Sequence, residues 1–343
     1  MMRWLVMLGL AVASAVCSLG CNRESDSGSD AAAGAAGAGN AGGPGGAVAV
    51  RLALNWKPEP QFGGFYQARE DGTFAANGLQ VTLLEGGSGT PTAQMIDAGR
   101  AEFGIVSADE LVVLRSRGGD IVALFAVYQT NPQGLMTHAA RGITSLQQLL
   151  ETPGTVAWQA GLPYVQHFRK LYDLSRLQQV PYTGGFPFLN GPDFSQQCFV
   201  TSEPILARQQ GHAVTTFLIA ESGYNPYTTV LVTRRDYLQR NPETVRRMVR
   251  SVRTGWERYL ADPSSANAVM QRLNPSMDAA TFAASAEAQK PLIETDETRV
   301  HGLGHMTEAR WQQLIEQLLE YGVIRSPIPA AECFLLVDTG TRP

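Results

Sequence analysis

The sequence predicts an α/β protein built from two hinged lobes. Three observations carry that prediction. Strand-like runs alternate with helix-like runs from residue 48 onward, the pattern of largely parallel sheets flanked by helices. The alternation restarts near Asn131, giving a second block of the same kind. Two short segments, 128–131 and 223–227, would carry the chain from one block to the other and back. At 343 residues the chain is long enough for two cores. The first lobe is expected over 48–130 together with 226–343, and the second over 131–225.

The first block opens with a strand over 50–56, in which Leu52 and Leu54 alternate with Arg51 and Ala53. Residues 65–76 have helical spacing, and 80–84 form a strand. Thr90 is a good N-cap for the next helix, with Pro91 at its first position and Met95 and Ile96 on its apolar face. Residues 103–106 read as a short buried strand, 110–117 as a helix ended by Gly118-Gly119, and 121–129 as a long apolar strand. In the second block, strands are expected at 135–138, 155–158, 198–201 and 214–219. Ser145 caps a helix through Leu150, residues 164–171 are helical, and a Gly/Pro/Phe-rich loop covers 183–194. A return strand follows at 227–232. Residues 235–324 are mostly helical, with apolar stripes at Gly255, Trp256 and Tyr259 and at Trp311, Leu314, Ile315 and Leu318.

The N-terminus reads as an export signal. One positive charge at Arg3 precedes an apolar run, residues 4–16, that is short for a membrane span. The run ends at Ser18-Leu19-Gly20-Cys21, which is similar to a bacterial lipoprotein cleavage site, with Leu19 two rather than three residues before the cysteine. Cys21 is therefore the expected lipidation site, and residues 1–21 the signal. Residues 22–47 are almost entirely Gly, Ala, Ser and Asp, so they have nothing to bury and are expected to be a disordered tether. Its reach is roughly 30 Å, enough to hold a folded head off a membrane. Beyond the signal only Cys198 and Cys333 remain, and buried free thiols are the expectation for them. The formal charge of -4 gives no case for nucleic acid or for a polybasic membrane patch.

Four strand exits carry the residues with chemistry, because strand C-termini in open α/β sheets face the ligand crevice. The first holds Asn55 and Trp56, followed by Pro58-Glu59-Pro60-Gln61-Phe62-Gly63-Gly64-Phe65-Tyr66. Trp56 offers a flat face, Gln61 can both donate and accept, and Tyr66 lies on the helix that follows. The second is the turn Glu85-Gly86-Gly87-Ser88-Gly89-Thr90, where Gly87 and Ser88 sit before a helix and could meet an anion. The third is Ser107-Ala108-Asp109-Glu110, whose acids serve either the helix dipole or a ligand amine. The fourth is Thr201-Ser202-Glu203-Pro204, with Gln159 and Tyr164 nearby on the second-lobe wall; Glu203 either caps a helix or accepts paired N–H donors.

The run from the Asn-Trp exit through the Glu85–Thr90 turn to Ala101-Glu102-Phe103-Gly104-Ile105-Val106-Ser107 resembles the first lobe of ABC-transporter substrate-binding proteins of the thiamine-pyrimidine-synthase-like group. That group also includes binding proteins for formylaminopyrimidine, riboflavin, aliphatic sulfonates and nitrate. The Ser202-Glu203-Pro204 turn is similar to the group's Asn-Glu-Pro turn, with Ser202 replacing Asn. The resemblance implies a type II periplasmic-binding-protein fold with its cleft between the lobes, and helices 235–324 packed on the first lobe. It implies no catalysis and no cofactor. The partners would be a small-molecule ligand, an ABC permease with its ATPase, and a membrane reached through the lipid anchor, in the periplasm or on the outer cell surface. The favoured ligand is a planar nitrogen heterocycle such as a thiamine-pyrimidine precursor; a small sulfonate or other anion is the alternative. A pyrimidine-synthase-like enzyme is the second alternative. The synthases carry a histidine in the turn after Trp-x-Pro and a cysteine-rich run, and neither is present. His301 and His305 have helical spacing, but Gly302 and Gly304 between them argue for a loop rather than a metal site.

Overall fold

The computed structural model describes residues 46–340, so the signal, Cys21 and most of the tether lie outside the described residues. Within them the chain forms β1 (Val48–Ala53), β2 (Leu79–Leu84), β3 (Phe103–Val106) and β4 (Ile121–Tyr128). It then forms β5 (Gln133–His138), β6 (Gly154–Trp158), β7 (Leu177–Pro181), β8 (Phe194–Phe199) and β9 (Val214–Leu218), and returns as β10 (Thr228–Arg234). There are two five-stranded sheets, ordered β2-β1-β3-β10-β4 and β7-β6-β8-β5-β9. Both are mixed. Strand β10 runs antiparallel to β3 and β4, and β5 runs antiparallel to β8 and β9. The expectation of largely parallel sheets is corrected to that extent. The reason is the double crossing: a chain that leaves and re-enters the first sheet must bring its return strand in reversed.

All eight residues of β4 are buried although it ends its sheet. An open edge strand would expose unpaired backbone groups. Here the C-terminal segment covers the edge, with Ala123 N–H donating to Cys333 O at 2.9 Å and Leu335 N–H to Ala123 O at 2.8 Å. The uninterrupted apolar run 121–128 follows from that cover. The helix Pro242–Ala261 lies against the helix Gly63–Glu70. Two glycines permit the approach: a Cβ on Gly64 would meet the Trp256 ring at 2.3 Å, and one on Gly255 would meet Gly64 O at 2.2 Å. Leu52, Phe65, Ile105 and Leu231 share one apolar core with Val249, Trp256 and Phe282, which fastens the C-terminal helices to the first sheet.

Three local readings change. The helical stretch 65–76 is two helices, Gly63–Glu70 and Thr73–Ala76, because Gly72 turns left-handed between them at φ 75°. The helix after the glycine turn begins at Thr92, and Thr90 is not its cap. Its Oγ1 instead accepts from Gly87 N–H at 2.8 Å, holding the turn. Strand β7 has no sequence signature, since only Leu177 in it is buried and the rest is an exposed edge paired to β6. Cys198 and Cys333 are buried free thiols.

The two crossing segments are tied together, Asn131 N–H donating to the Asn225 side-chain oxygen at 2.8 Å. Just beyond, Thr229 adopts φ 53°, alone among the described non-glycine residues. A β-branched residue there stores on the order of 1–3 kcal/mol of strain.

Candidate functional site

The exits of β1, β3, β6 and β8 converge on one cavity of about 480 Å³. Asn55, Trp56 and Gln61 line it from the β1 exit, Ser107 and Asp109 from the β3 exit, Gln159 and Tyr164 from the β6 exit, and Glu203 from the β8 exit. Three sequence candidates are not among the lining residues. Tyr66 is fully buried in the core on the inward face of its helix, with the Arg69 guanidinium 4.8 Å from its ring centroid. Gly87 and Ser88 belong to a turn that reaches the cavity only through Gly89 and Thr90.

That turn is closed on itself. Gly86 N–H donates to Trp56 O at 3.1 Å, Gly87 N–H to Thr90 Oγ1 at 2.8 Å, and Thr90 N–H to Gly87 O at 3.1 Å. Gly86 is required because a Cβ there would meet Leu54 O at 2.2 Å. Gly86 therefore serves the close passage of the turn over β1, and the Gly86, Gly87 and Thr90 amides are already bonded within the protein.

Glu59 and Glu203 approach each other from the two sides. Trp56 Nε1–H donates to Glu59 Oε1 at 3.2 Å, and Ser202 Oγ–H to Glu59 Oε2 at 3.1 Å. Glu203 accepts from Phe199 N–H at 2.8 Å and from Tyr182 OH at 3.1 Å. Burial, and then the negative charge of Glu203, push the Glu59 carboxyl up to about 8; the bonds from Ser202 and Trp56 and the charge of Lys57 oppose this. Burial also raises Glu203, against the pull of the backbone amides and Tyr182. Burial raises the Cys198 thiol well above its ordinary range, which makes it a poor nucleophile.

The opposite wall is internally satisfied. Asp109 accepts from Ser107 Oγ–H, from Glu110 N–H at 2.9 Å and from Tyr224 OH at 2.8 Å. Glu110 reaches back to Ser107 N–H at 2.8 Å, as at a capped helix start. On the second-sheet wall, Gln197 Oε1 accepts from Gln159 N–H at 2.7 Å and from Tyr164 OH at 3.1 Å, fixing both. Sequence reasoning left Glu59, Tyr182, Gln197 and Tyr224 out of the site. For Glu59 a signal existed: an acid between two prolines at a strand exit, where the backbone is stiff. Tyr182 and Gln197 carried none.

No histidine lines the cavity. Among the described residues no group of three or more His, Cys, Asp or Glu is placed to hold a metal ion, and no helix is long and apolar enough to cross a membrane. His301 ends the helix Asp296–His301, and its ring stacks on His305 at 4.4 Å, away from this cavity.

Two mixed α/β sheets, joined by paired crossings with a cavity at their strand exits, define the two-lobe periplasmic-binding-protein fold. The aliphatic sulphonate binding protein SsuA of Escherichia coli has this fold; it superposes with a TM-score of 0.66 over 84% of this chain and 92% of its own, at 12% identity. Residues 59–266 match the NMT1/THI5-like family, and the chain belongs to it. It is similar to the formylaminopyrimidine-binding protein of Halalkalibacterium halodurans, 22% identical over 83% of this chain and 89% of that one. It is also similar to the riboflavin-binding protein RibY of Chloroflexus aurantiacus, 21% identical over 83% and 84%. A 4-amino-5-hydroxymethyl-2-methylpyrimidine phosphate synthase of Saccharomyces cerevisiae is 22% identical over 63% of this chain and 68% of its own.

Proposed function

We propose that this protein is the solute-binding component of an ABC importer and captures a small planar nitrogen heterocycle, such as a thiamine-pyrimidine precursor, by hinge closure. The lobes are 48–130 with 226–343, and 131–225, moving about the tied crossings at Asn131 and Asn225. The observation that carries the reading is the cavity at the strand exits, which presents hydrogen-bonding groups from both sheets and is bridged by the Ser202–Glu59 bond. Trp56 supplies the stacking face, Glu203 the acceptor pair, and Asn55, Gln61, Ser107 and Gln159 the remaining polar edge. The protein works outside the cytoplasm, held to a membrane through lipidated Cys21, and hands its ligand to a permease.

Binding without turnover distinguishes this from a synthase on the same scaffold. Support comes from the cavity's lack of histidine and from the depressed reactivity of Cys198. The test is titration calorimetry of the mature protein with 4-amino-5-hydroxymethyl-2-methylpyrimidine and its formylamino analogue, followed by mass analysis of the recovered ligand. One-to-one binding with the ligand returned unchanged is expected. Saturable binding of an alkanesulfonate alone, or chemical conversion of the pyrimidine, would overturn the proposal. Lipidation is tested separately: Cys21→Ser should release the head as soluble protein or leave an unprocessed precursor.

A further inference from the structure

We infer that the cavity selects a planar cation of the amidinium class, free or fused into a protonated aminoheterocycle, seated between Glu59 and Glu203, and that it excludes anions. This rests on the solute-binding reading and narrows it by the charge the ligand must carry.

The charge balance of the cavity wall is one-sided. Its ionisable acids are Glu59, Asp109, Glu110 and Glu203, and no lysine or arginine lines it. None of these four acids forms an ion pair among the described residues. Two of them are held by their own helix start, as described above. The other two face each other from opposite sheets with neutral partners only: Trp56 and Ser202 on Glu59, Tyr182 and Phe199 N–H on Glu203, which also begins the short helix Glu203–Gln209. A carboxylate oxygen can accept two hydrogen bonds, so acceptor capacity remains on both groups. A planar group with two or more N–H donors and one delocalised charge fits such a pair, as a guanidinium or amidinium fits carboxylates.

The remaining groups facing the pair leave the charge uncompensated. Tyr128 feels the Glu59 charge, and Tyr182 and Cys198 feel that of Glu203; all three are held in their neutral forms by burial. Lys57 acts on Glu59 from an exposed position outside the cavity wall. Burial and the Glu203 charge push the half-buried Glu59 carboxyl up to about 8, so the pair keeps one proton near neutral pH. A cationic ligand replaces that proton: the cation enters, one proton leaves to buffer, and the charge of the site is unchanged. A neutral ligand finds one acceptor group fewer, and an anion finds only repulsion.

A matched set separates these cases: benzamidinium, benzamide and benzoate, similar in shape and different in charge. Titration calorimetry of the mature protein at pH 7 should show benzamidinium binding about 10- to 100-fold more tightly than benzamide, with benzoate undetectable. Repeating the benzamidinium titration in buffers of different ionisation enthalpy should show release of up to one proton per ligand. Glu59→Gln should abolish the proton release and shrink the ratio of benzamidinium to benzamide affinity at least severalfold. Equal or tighter binding of benzamide or benzoate overturns the inference, as does unchanged proton release in Glu59→Gln. If none of the three binds, the cation inference falls while the solute-binding reading still stands on the pyrimidine titration. If the pyrimidine also fails, both fall.

Discussion

The cavity has two acidic ends, and they do different work with the same residue types. At the β3 exit, Asp109 and Glu110 begin a helix, and Ser107, a backbone amide and Tyr224 occupy their oxygens. The N-terminus of that helix favours their charge, although burial still raises the Glu110 carboxyl. At the other end, Glu59 and Glu203 come from different sheets and face each other, with no cation on the cavity wall to answer them. An acid satisfied by its own helix stabilises the fold, whereas a pair opposed across a cleft holds unbalanced charge that only a proton or a ligand can relieve.

The largest expected effect breaks this contrast through pH. Glu59 is raised from 4.5 to about 8 by burial and by Glu203, so the folded protein holds this proton more tightly than the unfolded chain does. Its contribution is fully present below pH 4.5 and is lost as pH rises through about 8. Glu59→Gln should remove that alkaline loss, raising stability of the ligand-free protein at pH 9 by roughly 3 kcal/mol relative to its effect at pH 5. Urea unfolding at the two pH values checks it, and parallel pH profiles for wild type and variant would show that the carboxyl is not perturbed.

Next in size is Glu203→Ala. It leaves Tyr182 OH and Phe199 N–H without their acceptor and removes the acceptor pair proposed for the ligand. Affinity for the pyrimidine should fall by roughly 2–3 kcal/mol, measured by calorimetry with circular dichroism as the folding control. The contrasting variant at the other end, Asp109→Ala, strands the buried Tyr224 hydroxyl. Stability should fall by about 1–2 kcal/mol, with a smaller affinity loss than Glu203→Ala; the reverse order would erase the distinction between the two ends. The smallest effect is Trp56→Ala, which loses the stacking face and one hydrogen bond to Glu59 for at least about 1 kcal/mol of affinity.

Much of this was legible in the sequence. Of the ten strands among the described residues, eight lie close to where apolar runs such as 121–128 and 103–106 place them. Strand β8 (Phe194–Phe199) starts four residues before the expected 198–201, because its Ser195-Gln196-Gln197 stretch is polar and carries no apolar pattern. Strand β7 was not legible because an edge strand needs backbone pairing and almost no apolar surface. Asn55, Trp56, Ser107 and Glu203 line the cavity as expected of residues at strand ends, a local property. Tyr66 misled because its helix turns that position toward the core, and Gly87 and Ser88 because glycine-rich turns serve both close packing and anion binding. Glu59 was passed over for a different reason. Its character comes from Glu203, which lies far along the chain and faces it only across the folded cleft.

The most direct measurement is native mass spectrometry of the wild-type protein and Glu203→Ala, both purified from the source cells under gentle conditions. The expected result is a one-to-one adduct of a small, nitrogen-rich, positively charged molecule on the wild type that is lost from the variant. An adduct containing a sulfonate or phosphate, or one carried equally by both proteins, would contradict the assignment of the Glu59–Glu203 cleft as the binding site.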